Sequence, residues 1–152
     1  MSSTRDEELA LRMQAEHQAF AQLSQMLREH IALTSTAPGQ QWLDGLRAAF
    51  ERLHAHVQRT IAIKEKDGYL QSILRERPTL ARQVEAIQSE HGQLLHMAAA
   101  LQSEVAQAQP ADHVLLADIC ARIQRFMAVL GQHEQRENMI VLFAFNQDLG
   151  AY

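Results

Sequence analysis

His133 and Glu137 stand four residues apart, so on a helix their side chains stack on one face and can reach one ion or one shared partner. Imidazole nitrogens and carboxylate oxygens are ligands for zinc, iron, manganese or copper. His17 and His91 are further imidazoles, and Thr60 and Lys64 are a second pair four apart. All six occupy positions that the surrounding rhythm of apolar residues assigns to a core. Burying a polar group without a partner is costly, so six scattered independently would make a poor sequence. Gathered at one level, they can satisfy one another or hold a ligand.

The elements that must carry them are helical. Only three prolines and six glycines punctuate 152 residues, and aromatic residues are 5%, which favours long helices over short strands. Breakers cluster at Thr34–Gly39, at Asp67-Gly68 with Pro78 beyond, and at Gln109–Asp112. Thr4 with Glu7 resembles a capping box opening the first helix, and Asp112 is a candidate N-cap for the last. Apolar residues recur every three or four positions in each long segment. The first seam runs Leu9, Met13, His17, Phe20, Leu23, Leu27, Ile31, and the second Leu43, Leu46, Phe50, Leu53, Val57, Thr60, Lys64. The third runs Leu80, Val84, Ile87, His91, Leu94, Ala98, Leu101, Val105. The fourth runs Ile119, Ile123, Phe126, Leu130, His133, Glu137, Ile140, Ala144. These predict an all-α, up-down-up-down four-helix bundle, one domain over residues 1–152, with a short helical piece at Tyr69–Leu74 after helix two.

In such a bundle, a rise of about 1.5 Å per residue puts His17 and His91 roughly 18 Å from the starts of their helices. His133 and Glu137 fall roughly 10–20 Å before the end of the last helix, which runs the other way. The six polar residues are thus expected in a common layer. That layer is either a metal site in the bundle core or a hydrogen-bonded polar layer that fixes register and binds nothing.

The run from His133-Glu-Gln-Arg-Glu137-Asn138 to Asp148-Leu149-Gly150 resembles a bacterial branch of the hemerythrin-like cation-binding domains. Glu16-His17, Glu90-His91 and Lys66-Asp-Gly-Tyr-Leu70 are similar to further pieces of that branch, and the resemblance covers nearly the whole chain. It implies a four-helix bundle with a non-haem di-iron centre and places His17, His91, His133 and Glu137 at metal-ligand positions. Helix two departs from the pattern. The family has a His and, four residues later, a bridging carboxylate, where this chain has Thr60 and Lys64. A protonated lysine has no lone pair, and an ammonium facing a cation costs several kcal/mol even at an effective dielectric of about 20. Leu95 stands where the family carries a second imidazole in helix three.

The resemblance with these departures implies a degenerate central site: a non-catalytic binding or regulatory module without an ordinary di-iron centre. The alternative is a mononuclear iron or zinc site, with His56 in reserve, sensing oxygen, nitric oxide or the metal. A purely structural interaction domain is the third reading. Lys64 either pairs with Glu137 or extends its stem to solvent.

Other features exclude more than they suggest. The net charge of -4 with mixed signs argues against nucleic acid as a partner, and no apolar run is long enough to span a membrane. The polar start is unlike a secretory signal, so a cytoplasmic location is expected, with a metal ion or small ligand as partner and the protein partner open. One cysteine, Cys120, excludes an intrachain disulfide and is expected to pack as a small apolar side chain. Met13, Met26, Met97, Met127 and Met139 are expected in or near the core. Glu51 with His54 has the spacing of carboxylate-bridged di-metal bundles but no second copy, and His30, His96 and His113 are expected to be exposed or flanking. With no nucleophile–base arrangement and no phosphate loop, the chain is not expected to be an enzyme.

Overall fold

The computed structural model describes residues 4–33 and 39–145, and within them the chain is all-α with no strand. Helix α1 spans Thr4–Ala32, α2 Gln40–Lys66, α3 Tyr69–Glu76, α4 Ala81–Gln107 and α5 His113–Phe145. No described helix is long and apolar enough to cross a membrane. The Asp148-Leu149-Gly150 motif lies outside the described residues, as does most of the Thr34–Gly39 break.

The breaks follow from local chemistry. Asp67 donates its amide to the Ile63 carbonyl to close α2, and Gly68 then adopts φ 89°, a left-handed conformation that favours glycine. Ser72 donates back to the Gly68 carbonyl, opening α3. That helix runs two residues beyond the expected Leu74. It stops where Arg77 turns extended before Pro78, since a residue preceding proline is pushed out of the helical region. At the end of α4, the Arg47 guanidinium donates to the carbonyls of Val105, Ala106 and Ala108 at 2.6–3.2 Å, satisfying acceptors that a helix end leaves orphaned.

The apolar seams bury into two clusters. The larger includes Leu27, Phe50, Val57, Ile61, Leu94, Leu101, Ile119, Phe126 and Leu130, with Phe20 packed against it. The smaller gathers Met13, Ile63, Tyr69, Leu70, Ile73, Ile87 and Ala144, with Ile140 against it. Each long helix crosses from one cluster to the other at its polar residues. In α1, His17 falls between Met13 and Phe20; in α4, His91 falls between Ile87 and Leu94. In α5, His133 and Glu137 fall between Leu130 and Ile140, and in α2 Thr60 and Lys64 bracket Ile61 and Ile63. The seams are interrupted at one level because a polar layer separates two apolar ones.

One expectation changes. Met13 and Met127 are buried, but Met26, Met97 and Met139 are exposed, because they lie beside their seams and flexible thioethers tolerate the surface. His30, expected to be exposed or flanking, is half-buried at the end of α1: its Nε2 lies 2.8 Å from the Trp42 carbonyl, and Trp42 Nε1–H donates to the His30 carbonyl at 3.1 Å. Their rings stack at 5.4 Å, tying the ends of α1 and α2 together across the break. Gly45 leaves room for that imidazole, since a Cβ there would fall 2.5 Å from the ring. His96 and His113 are exposed. Cys120 is buried as expected, and burial pushes its thiol above the usual range, opposite to a reactive thiolate.

Candidate metal centre

The layer is built from helix positions that period 3.6 turns inward. His91 and His133 are buried, their rings meeting edge to face with centroids 5.0 Å apart. Glu137, one turn beyond His133, is 1% exposed, and its Oε2 lies 3.4 Å from His133 Nε2. One potential ligand atom from each of His91, His133 and Glu137 lies within 4.8 Å of the others. This trio is what the structure brings together from the sequence-predicted ligands.

Lys64 enters the same layer. Its side chain is 2% exposed, and Nζ donates to Glu137 Oε2 at 2.7 Å, with Glu134 Oε1 3.8 Å away. The lysine therefore pairs inside the layer and does not extend to solvent. Thr60 is buried too, but its hydroxyl donates to the carbonyls of His56 and Val57, one turn back in its own helix, at 3.0 and 3.1 Å. That local bond satisfies it without a partner from another helix.

His17 and His56 are not in the converged trio. His17 is 22% exposed, its Nδ1 against the Glu134 carboxylate, at the wall of a groove of about 320 Å³ between α1, α3 and α5. Leu9, Met13, Tyr69, Asn138 and Phe145 also line that groove. Tyr69 is buried along its wall; burial and the carboxylates of Glu137 and Glu134 keep its phenol neutral. His56 is buried with Nδ1 3.2 Å from Glu16 and 3.1 Å from Arg59, so an acceptor and a donor compete for one nitrogen. Glu51 is exposed and His54 lies beside Phe50, apart from the layer.

Four carboxylates were given no role by the seams. Glu65 accepts from His91 Nδ1 at 2.9 Å, and Glu90 accepts from His133 Nδ1 at 2.8 Å while Arg136 holds its other oxygen. Glu134 meets His17 and Glu16 meets His56. Each long helix thus offers one imidazole and one glutamate, and each imidazole meets the glutamate of a neighbouring helix, closing a ring through α1, α5, α4 and α2. The signal for it is the repeated Glu-His or His-Glu dipeptide at 16–17, 90–91 and 133–134.

This ring decides what the layer offers chemically. A carboxylate on Nδ1 fixes that nitrogen as the donor and turns the lone pair of Nε2 inward. His91 Nε2, His133 Nε2 and Glu137 Oε1 are all buried without a hydrogen-bond partner. Two imidazole nitrogens and a carboxylate oxygen that make no hydrogen bond, buried in one place, are unusual in a folded interior. They fit a divalent ion: two imidazoles and a carboxylate are a donor set for zinc or ferrous iron.

Electrostatics differ among the three. Burial pushes the His91 imidazole below its ordinary value despite Glu65, favouring the neutral, ligating form. Burial acts the same way on His133, but Glu137 and Glu90 together override it and raise that imidazole. Burial alone would raise the Glu137 carboxyl; His133 and the Lys64 ammonium outweigh it and hold the group at about 2. At neutral pH the layer already contains a carboxylate whose charge an internal cation balances.

Comparison of the chain with protein-family models, with curated proteins and with solved structures gives no match.

Proposed function

We propose that this chain is a hemerythrin-like four-helix bundle whose central site is degenerate, acting as a binding or regulatory module without a di-iron centre. The bundle reading is supported by the order in which the long helices visit the two apolar clusters: α1 and α4 run from smaller to larger, α2 and α5 from larger to smaller. Alternation of that kind accords with an up-down-up-down arrangement. The observation that carries the degenerate reading is the Lys64 ammonium, 2.7 Å from Glu137 inside the layer. An amine there supplies the positive charge of a cation and leaves no carboxylate on α2 to bridge two of them. Elemental analysis of protein purified from iron-supplemented medium tests this. At most one ion per chain is expected; two irons with oxo-bridge absorption refute it. Thr60→His with Lys64→Glu is expected to restore the missing half-site and raise iron occupancy.

A second reading is favoured by the three buried atoms that make no hydrogen bond. His91, His133 and Glu137 hold one zinc or ferrous ion, and the module reports on that metal or on a small gas such as oxygen or nitric oxide. When bound, the ion supplies a Lewis-acidic position. His17, at the groove wall, is the candidate for an additional ligand, and His56 is a weaker one because Arg59 donates toward its Nδ1. Loss of zinc binding on replacing His91 or His133, with the fold intact, supports this reading; unchanged binding rejects it.

A further inference from the structure

We infer that Lys64 is a tethered cation that competes with a metal ion for Glu137, and that Glu134 is the second seat to which it withdraws when an ion enters. The inference rests on the one-ion reading above and adds the device that sets the affinity of that site.

Glu137 Oε2 accepts from Lys64 at 2.7 Å and faces His133 Nε2 at 3.4 Å, while Oε1 has no partner. An ion taken up by His91, His133 and Glu137 shares its carboxylate with that ammonium. Two cations on one buried carboxylate repel strongly, because little water screens them. The lysine must give way, and it cannot do so by losing all anionic partners, since an unpaired buried ammonium is strongly disfavoured. Glu134 offers the alternative. Its Oε1 is 3.8 Å from Nζ, too far for a hydrogen bond but within reach of a small rotation of the four-carbon stem. Its other oxygen is engaged by His17, so the carboxylate is held in place to receive the amine. The arrangement gives two states. In the ion-free state Lys64 neutralises Glu137; in the loaded state the ion takes Glu137 and Lys64 moves to Glu134. Metal affinity is lowered by the energy of the lysine's first seat and partly restored by its second.

A double-mutant cycle reads this directly. The full-length wild-type protein, Lys64→Met, Glu134→Gln and the double variant are titrated with cobalt(II). Visible absorption reports coordination, and chelator competition reports affinity. Circular dichroism of each ion-free protein checks the fold, with Lys64→Gln as a polar substitute should Lys64→Met unfold. Removing the competitor is expected to tighten cobalt binding about 100-fold. Removing the second seat is expected to weaken it about 10-fold in wild type and to leave it unchanged in the Lys64→Met background.

Equal affinities for wild type and Lys64→Met overturn the inference while the one-ion reading stands. A Glu134→Gln effect of the same size in both backgrounds also overturns it, because Glu134 then acts through His17 and not as a seat for the lysine. Absence of cobalt binding in every variant overturns the one-ion reading and the inference with it.

Discussion

On the α4 and α5 side of the polar layer, His91 and His133 each tie Nδ1 to a carboxylate and leave Nε2 without a hydrogen bond, with Glu137 converging on them. On the α1 and α2 side, the same residue types do something else. His17 stands at a groove wall, His56 has its Nδ1 shared between Glu16 and Arg59, Thr60 bonds to its own helix, and Lys64 crosses to the other side to reach Glu137. One half keeps unused lone pairs and the other supplies a cation and self-satisfied groups. The difference teaches that burial of polar residues at one level does not by itself make a site. A site needs acceptors that the fold leaves unsatisfied, and among the described residues the α4–α5 half holds them together.

The sharpest way to break the comparison is to remove the group that joins the halves. Glu137→Ala takes the nearest anion from the buried Lys64 ammonium and leaves it Glu134, 3.8 Å away, as a partial substitute, so a loss of about 3 kcal/mol in urea-denaturation stability is expected. Replacing both partners by methionine removes the charge and the desolvation together. That double variant is expected within about 1 kcal/mol of wild type, or above it. A double variant as unstable as Glu137→Ala would mean that Glu137 matters through His133 and packing, not through the lysine.

The same pair predicts a pH signature. Glu137 is held at about 2 against an ordinary value of 4.5, so the folded state binds fewer protons than the unfolded state between those limits. Its contribution is present in full above about pH 4.5 and is lost as pH falls through about 2. Linkage converts that interval to about 3 kcal/mol. Stability measured by denaturant from pH 5 to pH 2 should fall by that much more for wild type than for Glu137→Gln. Parallel curves would remove the pair as the origin of acid sensitivity.

The layer behind both effects is partly legible in the sequence. The seams located the polar interruptions in each long helix, and the structure places them between the two apolar clusters. The carboxylate ring was not legible, although Glu16-His17, Glu90-His91 and His133-Glu134 are visible as dipeptides. A glutamate next to a seam histidine points about 100° away around the helix, toward the edge of its neighbour. Which imidazole it meets depends on helix rotation and spacing, which a single seam does not define. The exposed Met26, Met97 and Met139 show the converse: an apolar residue one step off a seam belongs to the surface. Lys64 showed the same limit, since paired and solvent-directed forms share a sequence and differ by the reach of one carboxylate.

The carboxylates offer a finer test of the asymmetry. Glu90→Gln takes the charged acceptor from His133 Nδ1, and Glu16→Gln takes it from His56. Outer partners of this kind tune ligand basicity and orientation by about 10–100-fold in metal affinity. Zinc affinity by chelator competition is therefore expected to fall in that range for Glu90→Gln and to stay within about twofold for Glu16→Gln. Equal losses would make His56 a participant and erase the distinction between the halves.

The smallest effect is expected at Thr60, although sequence reasoning gave it the same standing as Lys64. Its hydroxyl bonds two carbonyls of its own helix and contacts no charged group of the layer in the described hydrogen bonds. Thr60→Val keeps the shape and removes only that local bond, which carbonyls already engaged in a helix tolerate. A stability change of no more than about 1 kcal/mol and unaltered cobalt affinity are expected. A larger loss, or any change in cobalt affinity, would show that the α1–α2 half contributes a polar group to the site through Thr60, and the division into a ligating half and a self-satisfied half would have to be redrawn.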